Sequence, residues 1–210
     1  MAKTETQAAI FEFTGNRLCL DFINTLQDRA TSPGELLKSY KDLVSWARQG
    51  QLLTDDEAQH LRQEGTRRGK AAKAVLQEAI DLRETMYRIF FALVEDASPA
   101  RDDLLALNAG LAKAMSQVCI VPTQGGFAWD WQNKEKALDC MLWPVIRSAS
   151  DLLTSRELED VRVCAADDCN WLFLDTSKNH TRRWCDMKSC GNRAKARKHY
   201  TQKKQDDKTK

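Results

Sequence analysis

Nothing in the 210 residues looks like a membrane span, because no apolar run approaches the ~20 residues that a transmembrane helix requires. Glycine and proline are few, 9 and 4, which excludes collagen-like and Pro/Gly-rich low-complexity classes. No glycine-rich loop follows a strand-like run, so a nucleotide-binding phosphate cradle is excluded as well. Histidine is scarce, with three in the chain, and no helical stretch pairs two of them at metal-ligand spacing. His60 lies in a charged helical stretch and reads as solvated. No internal repeat is present. The opening residues, Met1 to Thr6, lack the apolar core of a secretion signal, so a cytoplasmic setting is expected.

What the chain does contain is unevenly placed. Lys+Arg number 32 and Asp+Glu 30, yet residues 161–210 hold 13 of the first and 6 of the second. The remaining 160 residues are therefore acidic. Four of the seven cysteines fall between positions 164 and 190. Segregated charge and sulfur predict two units with different work. Residues 1–155 read as a helical α+β domain, 160–203 as a metal-binding module, and 204–210 as a basic and polar tail.

In the first unit, Leu18, Cys19, Phe22, Ile23 and Leu26 fall on one helical face. Arg17, Asp21, Asn24 and Asp28 line the opposite one. The plain expectation is a solvated face with an Arg17–Asp21 pair; the sharper one makes Asp21 and Asn24 an inward polar network or a ligand contact. A second helix is predicted over 35–49, stopped by Gly50. Thr54-Asp55-Asp56-Glu57 is a capping-box sequence. Gly65 to Gly69 should interrupt that helix before a long one over about 71–94. Ser98-Pro99 signals another helix start, with an end near Ser116. Val118–Val121 and Phe127–Trp131 flank Gln124-Gly125-Gly126 and predict a hairpin. Helix is expected again over 134–153, with Pro144 as a potential kink. Cys19, Cys119 and Cys140 sit among apolar residues and read as small core side chains. Trp129 and Trp131 suit hairpin packing better than the floor of a ligand cleft. No convergent set of acid, base and nucleophile groups is present, so an enzyme is not expected.

The second unit is more explicit. Cys164-x4-Cys169 and Cys185-x4-Cys190 are two close pairs separated by fifteen residues. Zinc takes four tetrahedral ligands, and each pair can supply two from one knuckle. Four thiolates fill the coordination sphere, which predicts one structural Zn2+ with no open position for hydrolytic water. Two disulfides are the alternative, disfavoured in a reducing compartment. His180, between the pairs, could replace one cysteine. Trp171–Leu174 reads as a strand and Asp175–Asn179 as a turn. Gly191 should allow a tight turn after the fourth ligand, followed by a helix from about Asn192 to Lys203. That helix would carry Arg193, Arg197 and Lys204 as a basic stripe, widened by Lys195 and Lys198. Arg182-Arg183-Trp184 sets two guanidinium groups beside an indole. The fold class expected is an α-rich α+β body with a small β-hairpin, followed by a treble-clef-like zinc finger.

Cys190-Gly191-Asn192-Arg193 carries the signature of the CGNR zinc finger. The stretch Cys164 to Tyr200 resembles that module in Leu172-Phe173-Leu174-Asp175, Asn179, Arg182-Arg183-Trp184-Cys185 and Met187. Gly15 to Thr25 resembles the start of the ABATE domain, the usual bacterial partner of this finger. The resemblance covers nearly the full chain and is loose between about 55 and 125. It implies a stress-linked transcription regulator whose finger binds DNA through its basic residues.

From the residues themselves, nucleic-acid binding is the expectation, DNA before RNA. Arg182, Arg183, Arg193, Lys195, Arg197 and Lys198 are the candidate phosphate contacts, and Asn192 or Arg193 the candidate reader of a base edge. RNA is the alternative partner, because the Arg182-Arg183-Trp184 cluster suits stacking on an unpaired base as well as it suits a groove. A ligand-sensing or protein-interaction body with a purely structural finger is the alternative from another class. One finger covers too little DNA for site-specific binding, so a homodimer is expected. No membrane partner is.

Overall fold

The computed structural model describes residues 10–197 and Tyr200. The calls on Lys198, Lys204 and the tail lie outside the described residues. Helices come first: α1 Leu18–Ile23, α2 Tyr40–Gln49, α3 Asp55–Arg67, α4 Gly69–Val94, α5 Arg101–Met115 and α6 Leu142–Leu153. Three two-stranded antiparallel sheets interleave with them. They are β1 Leu26–Gln27 with β2 Gly34–Glu35, β3 Val118–Thr123 with β4 Gly126–Trp131, and β5 Val161–Val163 with β6 Leu172–Leu174. None of the described helices is long and apolar enough to cross a membrane.

The 26-residue helix α4 is the spine. It packs against α1, α2, α3 and α5, and also against β5 and β6. Its neighbour α3 starts on the expected capping box: the Glu57 amide donates to the Thr54 hydroxyl, and the Thr54 amide to the Glu57 carboxylate. The two helices break at Arg68. Within α3, Gly65 lies against the Tyr40 ring, where a Cβ would come within 2.5 Å of the ring.

Several boundaries differ from expectation for identifiable reasons. Residues 35–39 are not helical, and α2 starts at Tyr40 with Ser39 as its cap. The Glu35 carboxylate is drawn into a bidentate pair with Arg83, at 2.8 and 2.7 Å, because Arg83 is buried and requires a counter-charge. Residues 134–141 form turns instead of helix. Their carbonyls are taken by side chains of other helices: Tyr40 Oη donates to Leu138, Arg68 to Lys136, and His60 Nε2 meets the Glu135 carbonyl at 2.9 Å. His60 is thus a tether, not merely a solvated side chain. Pro144 falls in the first turn of α6, where its missing N–H costs no helix bond and no kink is required. Helix α5 starts at Arg101, with Ala100 and not Ser98 as its cap.

The polar stripe of α1 faces inward. Asp21 and Asn24 are 8% and 2% exposed, and Arg17 pairs with Glu157 instead of Asp21. Burial pushes the Asp21 carboxyl up to about 6, opposed by the Gly15 amide that donates to it at 2.8 Å. A raised carboxyl favours the protonated form in the folded state. Its contribution is therefore fully present only below the ordinary value of 3.8 and is lost as pH rises from there through about 6. Asp21→Asn keeps an acceptor for Gly15 and should raise stability at pH 7 by up to about 3 kcal/mol, with little gain at pH 4. Melting curves of both proteins across that range check it; an equal gain at both pH values refutes it.

Burial raises the thiols of Cys19 and Cys140 to about 12, which leaves both as inert core side chains. Cys119 is half-buried in β3.

Candidate metal centre and basic face

Strand β6 joins two cores through its alternation. Leu172 and Leu174 point into the main core, which also takes Val161, whereas Trp171 and Phe173 pack with the four C-terminal cysteines. The hydrophobic core therefore does not stop at residue 160. Both edges of β6 are also hydrogen-bonded. One pairs with β5. On the other, Asn24 brackets Leu172: its Nδ2 donates to the Leu172 carbonyl at 2.8 Å, and its Oδ1 accepts the Leu172 amide at 3.1 Å. The Leu174 amide donates to the Gly15 carbonyl at 2.8 Å, and Asn16 Nδ2 donates to the Leu174 carbonyl at 2.9 Å. The Trp171 indole donates to the Leu26 carbonyl at 2.8 Å. The segment Gly15 to Leu26 is thus a socket for the finger strand. Asn24 has both amide atoms committed there.

The knuckles follow from local chemistry. Asn170, directly after Cys169, adopts φ 55°, a left-handed turn that asparagine tolerates well. The buried Asp175 carboxylate accepts the amides of Ser177 at 2.9 Å and Arg182 at 2.8 Å, closing the 175–182 loop. Asp186 caps a π-helical turn, Met187–Gly191, by accepting the Ser189 amide. Gly191 does not adopt a left-handed turn; it lies under the Met187 side chain, where a Cβ would come 2.5 Å from the sulfur and push that flexible side chain aside. Helix then runs over 192–197.

Cys164, Cys169, Cys185 and Cys190 converge, all buried, with their sulfurs within 4.8 Å of one another. Cys185 Sγ is 3.6 Å from the sulfurs of both Cys169 and Cys190. Four sulfurs at ~2.3 Å from one tetrahedral zinc lie about 3.8 Å apart, so the spacing and the all-thiolate donor set fit that ion. Protons alone hold such a cluster poorly. The S–H donors of Cys169 and Cys185 keep the Cys164 thiol low, and hydrogen bonding to Cys164 pushes those two up. A cation that accepts four thiolates removes this conflict, with proton release on binding. No position is left for water. The cluster is a structural zinc site, with one ion per chain. None of the seven cysteines is in a disulfide, and the 3.6 Å between Cys185 and its neighbouring sulfurs is far longer than the ~2.05 Å of an S–S bond. His180 is not a ligand; its Nδ1 pairs with Asp160 at 2.8 Å.

The cationic residues divide into two groups. Arg182 is internal. It lies over the Phe173 ring at 4.4 Å and donates to the carbonyls of Trp184 at 2.9 Å, Thr14 at 3.0 Å and Cys185. It ties the third ligand to the body. Arg183 and Lys195 are exposed, with Arg183 5.5 Å above the Trp184 ring. Arg193 and Arg197, one turn apart, both reach Asp168, at 3.2 and 2.7 Å to its two oxygens. Arg193 also donates to Cys190 Sγ at 3.2 Å, partly neutralising a zinc ligand. Asn192 is exposed and donates to the Lys188 carbonyl. Lys195 is two residues from Arg193, so it leaves the helix on nearly the opposite side.

A family model described as "putative stress-induced transcription regulator", ABATE, matches residues 16–156. The chain belongs to the ABATE family. The CGNR zinc finger model matches residues 161–203, directly after the ABATE match. Neither description is that of an enzyme. A search of the curated proteins finds no match. The socket formed by Gly15, Asn16 and Asn24 therefore lies at the start of the ABATE match, with Gly15 one residue before it, and holds a strand of the CGNR match.

Sequence reasoning missed this socket and the Asp168 bridge. The polar stripe of α1 was the available signal for the first. Asp167-Asp168, inside an otherwise basic module, was the signal for the second.

Proposed function

We propose that this ABATE protein is a nucleic-acid-binding regulator that grips the phosphate backbone, DNA before RNA, with its CGNR finger. The observation that supports the reading is the convergence of Arg193 and Arg197 on the two oxygens of one carboxylate. Two guanidinium groups aimed at one oxyanion also suit a phosphate. Asp168 occupies that position in the free protein, and a backbone phosphate takes its place in the complex. Arg183 and Lys195 supply further phosphate contacts, joined by Lys198, and Asn192 or Arg193 reaches a base edge. Trp184 is packed against the cysteine cluster, so little of its ring is open for stacking on an unpaired base; this favours duplex DNA over single-stranded RNA. On this reading residues 1–155 are a regulatory body, 160–203 the binding module and 204–210 a basic tail. The protein acts in the cytoplasm, without membrane or catalytic work, as a pair of chains reading paired half-sites.

A second reading has its own observation. A cleft of about 830 Å³ opens between α3 and the 132–141 turns, floored by Leu61, Cys140 and Met141 and flanked by Trp131. That is the size of small-ligand sites, and it suits a sensing body that carries a structural finger. One experiment separates the two. The zinc-loaded chain is titrated with unselected duplex DNA at low salt, with single-stranded RNA as competitor. Binding that duplex displaces better than RNA supports the first reading; no affinity for either refutes it.

A further inference from the structure

We propose that the β3–β4 hairpin is the surface through which two copies of this chain associate. In the strand register Ile120 stands opposite Trp129 and Pro122 opposite Phe127. Alternation along each strand places these four side chains on one face. Ile120 and Trp129 are 61% exposed and Phe127 is 79% exposed. At the base of the same face Trp131 packs 5.9 Å from Trp143 of α6, so the hairpin is anchored where it meets the body. Its outer half presents large apolar side chains to solvent as one contiguous patch, which single scattered apolar residues never form. A two-stranded hairpin standing alone is also only marginally stable in water. Its apolar face calls for a cover.

Charge and shape identify the cover as a second copy. Asp130 is the sole charged residue from 118 to 131. Arg147 of α6 lies 5.6 Å over the Trp129 ring, on the body side of the hairpin, so its outer half, Pro122 and Phe127, carries no charge for a polyanion. The two strands divide the patch unequally: β4 carries the rings of Phe127 and Trp129, and β3 the aliphatic Ile120 and Pro122. A two-fold axis through the face lays the rings of one copy on the aliphatic strip of the other. Such a patch is self-complementary and closes at two chains. The three exposed side chains offer on the order of 400 Å² per copy. Facing pairs therefore remove roughly 800 Å², and Pro122 with the flanking backbone bring the total past the ~1,000 Å² at which specific interfaces begin. The inference supplies the pairing that the proposed function calls for, yet its test needs no nucleic acid, so the two can fail separately.

The test is sedimentation of the full, zinc-loaded chain from about 1 to 100 μM, beside Phe127→Ser/Trp129→Ser and Ile120→Lys. The wild type should sediment as a dimer. The double variant should weaken dimerisation at least about 30-fold, as loss of central aromatic anchors does. Ile120→Lys, which places an ammonium without a counter-charge inside the apolar interface, should give a monomer. Unchanged zinc content and melting temperature show that the variants are folded; if the double variant fails this control, Ile120→Lys decides. A wild type that is monomeric at 100 μM overturns the proposal, and so does a dimer that neither variant weakens. A monomer whose duplex DNA or vesicle binding is lost on Phe127→Ser/Trp129→Ser also overturns it, by assigning the face to another partner.

Discussion

Cys185→Ser should release the metal and unfold the finger. Cys185 lies at the centre of the cluster, 3.6 Å from two of the other sulfurs, and its amide donates to the Cys164 sulfur at 3.4 Å. A serine hydroxyl does not ionise to replace the thiolate. Structural zinc supplies ~10–16 kcal/mol of folding free energy in small modules, as large as the whole stability of a typical domain at ~5–15 kcal/mol. The damage should also spread. Leu172 and Leu174 are 0% and 2% exposed inside the main core, and emptying a single buried leucine position costs about 3–5 kcal/mol. The variant should therefore contain no zinc and melt at a markedly lower temperature throughout, helices included. Metal analysis together with thermal melting by circular dichroism checks this. A variant that keeps one equivalent of zinc refutes the metal assignment. A variant that loses zinc while its helices melt unchanged refutes the shared core.

The same division between local and distant chemistry explains what could be read from the sequence. The four ligands were legible because metal-site spacing is local: two pairs of cysteines, each with four residues between its members, state the donor set before any fold exists. The Thr54 capping box and the β3–β4 hairpin were legible for the same reason. The inward turn of Asp21 and Asn24 stood in the sequence only as the less favoured of two readings, since the Leu172 backbone that Asn24 holds is 148 residues away. Residues 134–141 were misread as helix because their carbonyls answer to Tyr40, His60 and Arg68, which helical periodicity cannot anticipate. Arg182 was misread in a related way. Beside Arg183 and Trp184 it looks like half of a phosphate clamp, yet the Thr14 carbonyl and the Phe173 ring claim it. A cationic side chain in a basic module has two destinations, and the neighbouring sequence states neither.

Affinity for duplex DNA should fall with salt at a log–log slope of roughly −3 to −4 per finger. Each phosphate neutralised contributes about −0.9, and the proposed contacts reach four phosphates: one shared by Arg193 and Arg197, and one each for Arg183, Lys195 and Lys198. Arg182→Ala should leave the slope unchanged and lower the melting temperature, because its bonds are internal. Arg197→Ala should weaken binding and make the slope shallower by up to about 1, because Arg193 keeps part of the shared phosphate. Arg193→Ala should do the same and also speed zinc loss to a chelator, since Arg193 donates to the Cys190 sulfur. Asp168→Asn should act in the opposite direction. It removes the resident anion from between Arg193 and Arg197, whose side chains are 43% and 50% exposed. Exposed pairs of this kind are worth about 0.2–1 kcal/mol, so duplex affinity should rise by roughly two- to five-fold with a slope that steepens. Filter-binding or fluorescence anisotropy at several salt concentrations reads both quantities. If Asp168→Asn weakens binding, or if Arg197→Ala leaves the slope where it was, the convergent arginines serve the finger's own fold and the phosphate reading fails.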